Sequence, residues 1–283
     1  MDYHHKYLKY KTKYLELKSM NGGSYDLNKE IIWITFANFG YVDFVINFSL
    51  YAKPLKFNLV VFCLDEQTYN ILKNIYTCIK FYKDASKNLT KFGNTDYKNI
   101  VFMKLYVIAH AFDLYPDKLI GYIDTDIILF QNPEKYIRAL LNKYPDVQIF
   151  TQCDEGGKFK ECSNRNYCPN MCSGVMLIKN SDIMKKALKY TSADINNFET
   201  DQHYLNSKLD ELKIKRFTFS RFLMPNGAFY RLYKVIKHDL PKPNFKKEIL
   251  IHFNYLIGTD KIKVMKKWGF WNQKVIDELK AIF

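Results

Sequence analysis

Asp124 and Asp126 stand one residue apart inside the run Leu119-Ile120-Gly121-Tyr122-Ile123-Asp124-Thr125-Asp126-Ile127-Ile128-Leu129-Phe130. Carboxylates among so many apolar side chains are costly to bury unless a counter-charge meets them. Two hard oxygen ligands at a strand end suit Mg2+ or Mn2+, with positions left over for water or phosphate oxygens. A third ligand lies far along the chain, where His252 ends the apolar run Ile249-Leu250-Ile251 much as Asp124 ends its own. If both strands reach one sheet edge, they complete an Asp/Asp/His set suited to Mn2+. An isolated D-x-D also arises on exposed turns, and a lone histidine is more often a core or surface group, so the weight falls on the apolar setting of both. Downstream, Gly258 would let the backbone approach a phosphate. Lys261 is either a point charge for a diphosphate or a solvated residue of a basic tail.

The elements that must carry these residues follow from periodicity. Ile31 to Ala37 reads as a buried strand, Tyr41 to Tyr51 as a helix, Asn58 to Leu64 as a second strand, and Gln67 to Cys78 and Tyr97 to Phe112 as helices. After the acidic strand come a helix from Pro133 to Asn142, a strand near Val147 to Thr151, and a Cys- and Asn-rich loop to Met171 long enough for a lid or acceptor wall. Gly174 to Ile178 reads as a strand, Ser181 to Tyr190 as a helix capped by Ser181, and a further helix holds Asp201, Gln202 and Asn206. Strands alternating with helices predict an α/β fold with a Rossmann-like, mostly parallel central sheet flanked by helices. Tyr3, Tyr7, Tyr10, Tyr14 and Leu17 form one stripe on an N-terminal helix with lysines around it, ended by Asn21-Gly22-Gly23-Ser24. This divides the chain into a basic Tyr/Lys-rich helix and linker over 1–28 and a single domain over 29–283, with the helix docking on the body or pairing two copies.

A chain of 283 residues with 48% hydrophobic content, and Tyr and Phe at 22 each against 11 Gly, is long and apolar enough for a large aromatic core. The net charge of +14 invites a nucleic-acid reading. Its distribution argues otherwise: residues 234–283 carry eleven Lys against five acids, and arginine, the usual reader of base edges, is scarce. A lysine-rich rim suits an anionic small substrate or acceptor at least as well. The apolar stretch from Ile31 to Ala52 is broken by Asn38, Asp43 and Asn47, so no membrane span is expected, and the charged N-terminus is no secretory signal. A cytoplasmic protein with reduced thiols is expected, because Cys153, Cys162, Cys168 and Cys172 cluster without the spacing of a zinc site. A nucleotidyltransferase would also combine Gly22-Gly23-Ser24 with an Asp-x-Asp, but its carboxylates should follow that turn by roughly a dozen residues.

Read in order, residues 31–271 resemble the nucleotide-diphospho-sugar transferase superfamily with the GT-A fold, in the retaining branch of families 8 and 77. The likeness is carried by Thr35-Phe36-Ala37-Asn38 with Gly40-Tyr41 and Asn47, Phe62-Cys63-Leu64-Asp65, Lys104, and Tyr122-Ile123-Asp124-Thr125-Asp126. It continues through Cys172-Ser173-Gly174-Val175-Met176, Asp201-Gln202-x3-Asn206, and His252-Phe253-Asn254-Tyr255-x2-Gly258 leading to Gly269-Phe270-Trp271. Two departures stand out: the stretch after His252 lacks the proline of the family 8 pattern, and Cys172 stands where many members have Asn.

The resemblance implies a metal-dependent transferase moving sugar from a nucleoside diphosphate, a UDP-sugar first among donors, to a glycan or protein hydroxyl. Thr35, Ala37, Asn38 and Tyr41 would contact the nucleotide, Asp65 the base or ribose side, and Lys104 the diphosphate or sugar. Asp124, Asp126 and His252 would hold Mn2+ or Mg2+, with Thr125, Gly258 and Lys261 beside the diphosphate. Asp201 would accept from sugar hydroxyls and Gln202 would lie near the anomeric carbon. Separately, the first twenty residues resemble a leader on proteins of giant amoebal DNA viruses, which implies host cytoplasm or virion.

Overall fold

The structure, a computed structural model, describes residues 31–82, 95–154 and 170–282. The expected N-terminal helix, and all but the ends of the Cys- and Asn-rich loop, lie outside these residues. In β1 (Ile31–Ala37), Ile31 and Trp33 join one buried cluster while Ile32 and Ile34 join another. A strand apolar on both sides must be sandwiched between layers.

Eight further strands follow: β2 (Val60–Cys63), β3 (Thr77–Lys80), β4 (Leu119–Ile123), β5 (Ile127–Leu129), β6 (Ile149–Cys153), β7 (Met171–Ile178), β8 (Arg216–Thr218) and β9 (Leu250–His252). Seven of the nine strands among the described residues form one sheet in the order β3-β2-β1-β4-β7-β6-β8. Four of its six pairings are parallel, and β7 runs antiparallel between β4 and β6. The mostly parallel sheet read from the sequence is therefore present. The reversed β7 places Val175 opposite Ile123, so its first residues reach the edge where β4 ends. The remaining two strands, β5 and β9, make an antiparallel ribbon with Ile127 opposite His252.

Helices cover both faces. On one side, α1 (Val42–Ala52), the ribbon, α9 (Thr259–Lys267) and α10 (Gln273–Lys280) share a core that includes Phe48, Ile128, Met265 and Ile276. On the other, α3 (Thr95–Leu114), α5 (Asp182–Leu188) and α7 (Asp201–Glu211) bury Phe102, Met184 and Tyr204. Four shorter or outlying helices complete the set: α2 (Glu66–Leu72), α4 (Glu134–Lys143), α6 (Ser192–Asn197) and α8 (Leu232–Val235).

Several expectations are corrected. The helix read from Gln67 to Cys78 ends at Leu72, and Thr77-Cys78-Ile79 pairs with β2 as edge strand β3, in keeping with its β-branched residues. Ser181 occupies the N-cap of α5 but donates its hydroxyl to Gln148 Oε1 (2.9 Å) instead of capping. Of the two alternatives for Lys261, the solvated basic tail does not hold, since its stretch forms α9 and α10, whose apolar sides pack into the core. Cys63, Cys78 and Cys172 are free thiols, whereas Cys153 is disulfide-bonded, against the expectation of reduced cysteines throughout. No helix among the described residues is long and apolar enough to cross a membrane.

Candidate active site

A cavity of about 600 Å³ opens where β1, β4 and β6 end and β7 begins. This is the edge at which open α/β sheets bind ligands. Asp124 leaves β4 with its N–H donating to the Gly174 carbonyl (2.8 Å), and the Asp126 carbonyl accepts from Phe253 N–H (2.9 Å). The ribbon thus sets Asp126 beside His252 although 126 residues separate them in sequence.

One ligand atom from each of Asp124, Asp126 and His252 lies within 4.8 Å of the other two. His252 Nε2 is 3.2 Å from Asp126 Oδ1 and 3.7 Å from Asp124 Oδ2. Its other nitrogen, Nδ1, is 3.0 Å from Gln152 Oε1. The Gln152 Nε2 donates to the carbonyls of Met224 (3.0 Å) and Pro225 (3.4 Å), which fixes the amide with its oxygen toward the ring. Nδ1 therefore carries a proton, and Nε2 turns toward the two carboxylates as a ligand nitrogen does. Gly174 makes room for this: a Cβ there would stand 2.1 Å from His252 Cε1 and 2.9 Å from Asp124 Oδ2. Two hard oxygens, one oriented imidazole nitrogen and a floor cleared of side chain fit Mn2+ or Mg2+.

Lysines meet these carboxylates from both sides. Lys104 Nζ, buried, lies 3.4 Å from both Asp124 and Asp201 and donates to Ser173 Oγ (3.0 Å), which in turn donates to Asp201 Oδ2 (2.8 Å). Burial alone would lower the Lys104 pKa, but Asp124 and Asp201 outweigh it and hold the ammonium protonated. Lys261 ion-pairs with Asp126. Burial would raise the Asp126 carboxyl, yet Lys261 and His252 hold it well below the usual carboxylate range. Tyr122 donates its hydroxyl to Asp124 Oδ1 (2.7 Å).

On the far wall, Gln202 lies in the first turn of α7. Its Nε2 donates to Asp154 Oδ2 (2.7 Å), and its Oε1 accepts from Ser173 N–H (3.3 Å). Asp154, the residue after β6, is nearly buried, and burial raises its pKa against the pull of its amide donors.

Comparison with known proteins decides what such a pocket belongs to. The family model described as nucleotide-diphospho-sugar transferase matches residues 55–265, well over half of the chain. The chain belongs to this family. Glycosyltransferases of known structure share its fold: the bifunctional glycosyltransferase WbbM superimposes with a TM-score of 0.51 at 10% identity, covering 91% of this chain and 52% of that one. The glycosyltransferase GlyE of Streptococcus pneumoniae TIGR4 gives 0.51 at 12% identity over 90% of this chain and 64% of that one. A glycosyltransferase involved in the glycosylation of the major capsid of PBCV-1 is 13% identical over 84% of this chain and all of that one, with a TM-score of 0.49. Such identities speak for the fold alone, a GT-A-like α/β architecture. No curated protein sequence matches the chain.

In this pocket Thr35, Ala37, Asn38, Tyr41, Lys104, Asp124, Thr125, Asp126, Asp201, Gln202, His252, Gly258 and Lys261 all line the wall. Asp65 is not among the lining residues. Its carboxylate caps α2 through Thr68 N–H (2.8 Å) and accepts from Phe39 N–H (2.8 Å). Gly258 sits at φ +52° as the N-cap of α9, a backbone region that favours glycine. Sequence reading missed Asp154 and Gln152. Asp154 carried a usable signal, since it follows an apolar strand as Asp124 does; Gln152 carried none.

Proposed function

We propose that this chain is a metal-dependent retaining glycosyltransferase that moves a sugar from a nucleoside diphosphate, a UDP-sugar first, to a hydroxyl of a glycan or protein. Membership of the transferase family supplies the donor class, and the convergence of Asp124, Asp126 and His252 at the pocket floor carries the reading. Those three would hold Mn2+ or Mg2+, which when bound neutralises the diphosphate and stabilises its departure.

The chain's own groups do the rest. Thr35, Ala37, Asn38 and Tyr41 form the nucleotide wall, which Asp65 supports from behind through Phe39 N–H. Lys261 and the first turn of α9, whose N-cap Gly258 and Thr125 both line the pocket, offer positive charge to the diphosphate. Lys104 holds Asp124 and Asp201 in place, leaving Asp201 to accept from sugar hydroxyls. Gln202, beside the anomeric carbon, is an amide and too weak a nucleophile for a covalent intermediate. Front-face attack through a short-lived ion pair follows, with the departing diphosphate taking the acceptor proton.

Asp124→Asn and Asp126→Asn should each lower transfer roughly a thousandfold, the several kcal/mol that such charge stabilisation supplies, while circular dichroism stays unchanged. Thermal shifts with Mn2+ and a panel of nucleotide sugars identify the donor first. A saturating donor at a hundred times its Kd stabilises by about 2.7 kcal/mol. Full activity in both variants overturns the reading.

A further inference from the structure

We propose that Asp154 is a positioning residue for Gln202, its carboxylate fixing and polarising the amide beside the reacting carbon. The location of that carbon rests on the function proposed above; the contact itself does not.

Three side-chain amides converge on this one carboxylate. Asn226 Nδ2 (2.8 Å) and Asn254 Nδ2 (3.3 Å) donate to Oδ1, and Gln202 Nε2 (2.7 Å) donates to Oδ2. No lysine, arginine or histidine among the described residues ion-pairs with it. An NH2 group only donates, so the arrangement is complementary to the ionised acid and not to an asparagine or a protonated carboxyl.

The donors are themselves tied down. Asn226 Oδ1 accepts from Ala228 N–H (3.1 Å) and Phe229 N–H (3.2 Å), Asn254 Oδ1 accepts from Gly227 N–H (2.6 Å), and Tyr255 donates its hydroxyl to the Asp154 carbonyl (3.0 Å). Two loops therefore hold Asp154 still, and Asp154 holds Gln202. Because Oε1 of Gln202 takes Ser173 N–H, the amide has one orientation, with nitrogen on the negative charge. A carboxylate at the nitrogen end pushes electron density toward Oε1. That oxygen then stabilises positive charge on a nearby carbon better than a free amide would.

The Gln202 side-chain NH2, identified in 15N-resolved NMR by its disappearance in Gln202→Glu, should be displaced from the ordinary glutamine position in the wild-type protein and return to it in Asp154→Asn. An unmoved resonance overturns the proposal. In hydrolysis, with Mn2+, of the nucleotide sugar that the thermal-shift panel selects, Asp154→Asn should lower kcat at least about tenfold with little change in donor KM, and should cost nothing further in a Gln202→Ala background. Equal losses in both backgrounds mean a structural role and overturn it too. Should Asp154→Asn alone fail to fold, it is added to Gln202→Glu, which sets two carboxylates against each other. The double variant, restoring one donor and one acceptor, should melt above the Gln202→Glu single, and no recovery refutes the contact. A wild-type protein that turns over no nucleotide sugar counts against glycosyl transfer, while the NMR result still decides Asp154.

Discussion

On one side of the pocket Asp124, Asp126 and Asp201 face Lys104, Lys261 and His252; on the other, Asp154 takes three side-chain amides and, among the described residues, no ion pair. The first group of acids meets the ammonium groups of Lys104 and Lys261, and the Lys261 charge on Asp126 can be traded for another cation or drawn toward an anion. Asp154 meets neutral dipoles anchored in two loops and at the start of α7. Identical side chains thus serve two tasks, exchange on one wall and fixed orientation on the other, and what separates them is the kind of neighbour rather than the depth of burial.

The sharpest way to break this contrast is Gly174→Ala. Its Cβ would collide with His252 and Asp124, so Mn2+ titration should show no binding and transfer should fall below detection, more severely than for either aspartate variant. If the variant binds Mn2+ normally, the exchanging wall is misplaced. Lys261→Ala comes next: kcat/KM should drop roughly a hundredfold, as when one charge-stabilising donor is lost. Mn2+ affinity without nucleotide should stay level or rise, because the lysine and the ion compete for Asp126. Weaker metal binding would show that no such exchange exists.

Gln152→Leu should weaken Mn2+ binding by about 10–100-fold, the usual cost of losing the partner that orients a ligating histidine. Calorimetry reads this without turnover. A subtler signature concerns acid. The folded pKa of Asp126 lies below its unfolded value, so its contribution to stability is present above about pH 4 and is lost as pH falls through the folded value. With metal chelated, thermal melts below that pH should therefore fall more steeply in the wild type than in Asp126→Asn. Least of all, Asp65→Ala should cost about 1 kcal/mol of stability through the lost cap and leave Mn2+ affinity unchanged. A loss of nucleotide affinity beyond what the melt explains would return Asp65 to the binding wall.

Much of this was legible before any coordinates. Ile31 to Ala37 is apolar at every position but Thr35, as in a strand covered on both faces, and the alternation of strands with helices implies the mostly parallel sheet. Asp124, Asp126 and His252 were visible because charge inside apolar strands is conspicuous. What stayed hidden depends on pairing. Nothing local told that Thr77 to Lys80 would find an open edge beside β2, and Ser181 could not reveal that Gln148 would claim its hydroxyl. Lys104 carries no mark of the two carboxylates it bridges, because Asp201 reaches it from a helix 97 residues later in the chain. The Gln152 amide owes its orientation to the Met224 and Pro225 carbonyls, and backbone atoms have no sequence signature.

The ribbon joining β5 to β9 carries a timing consequence. During synthesis both acidic residues are made more than a hundred residues before their histidine partner, which arrives only with β9. A product that stops between these two strands has both carboxylates but no imidazole, so capture of an ion by all three ligands would wait until β9 is made.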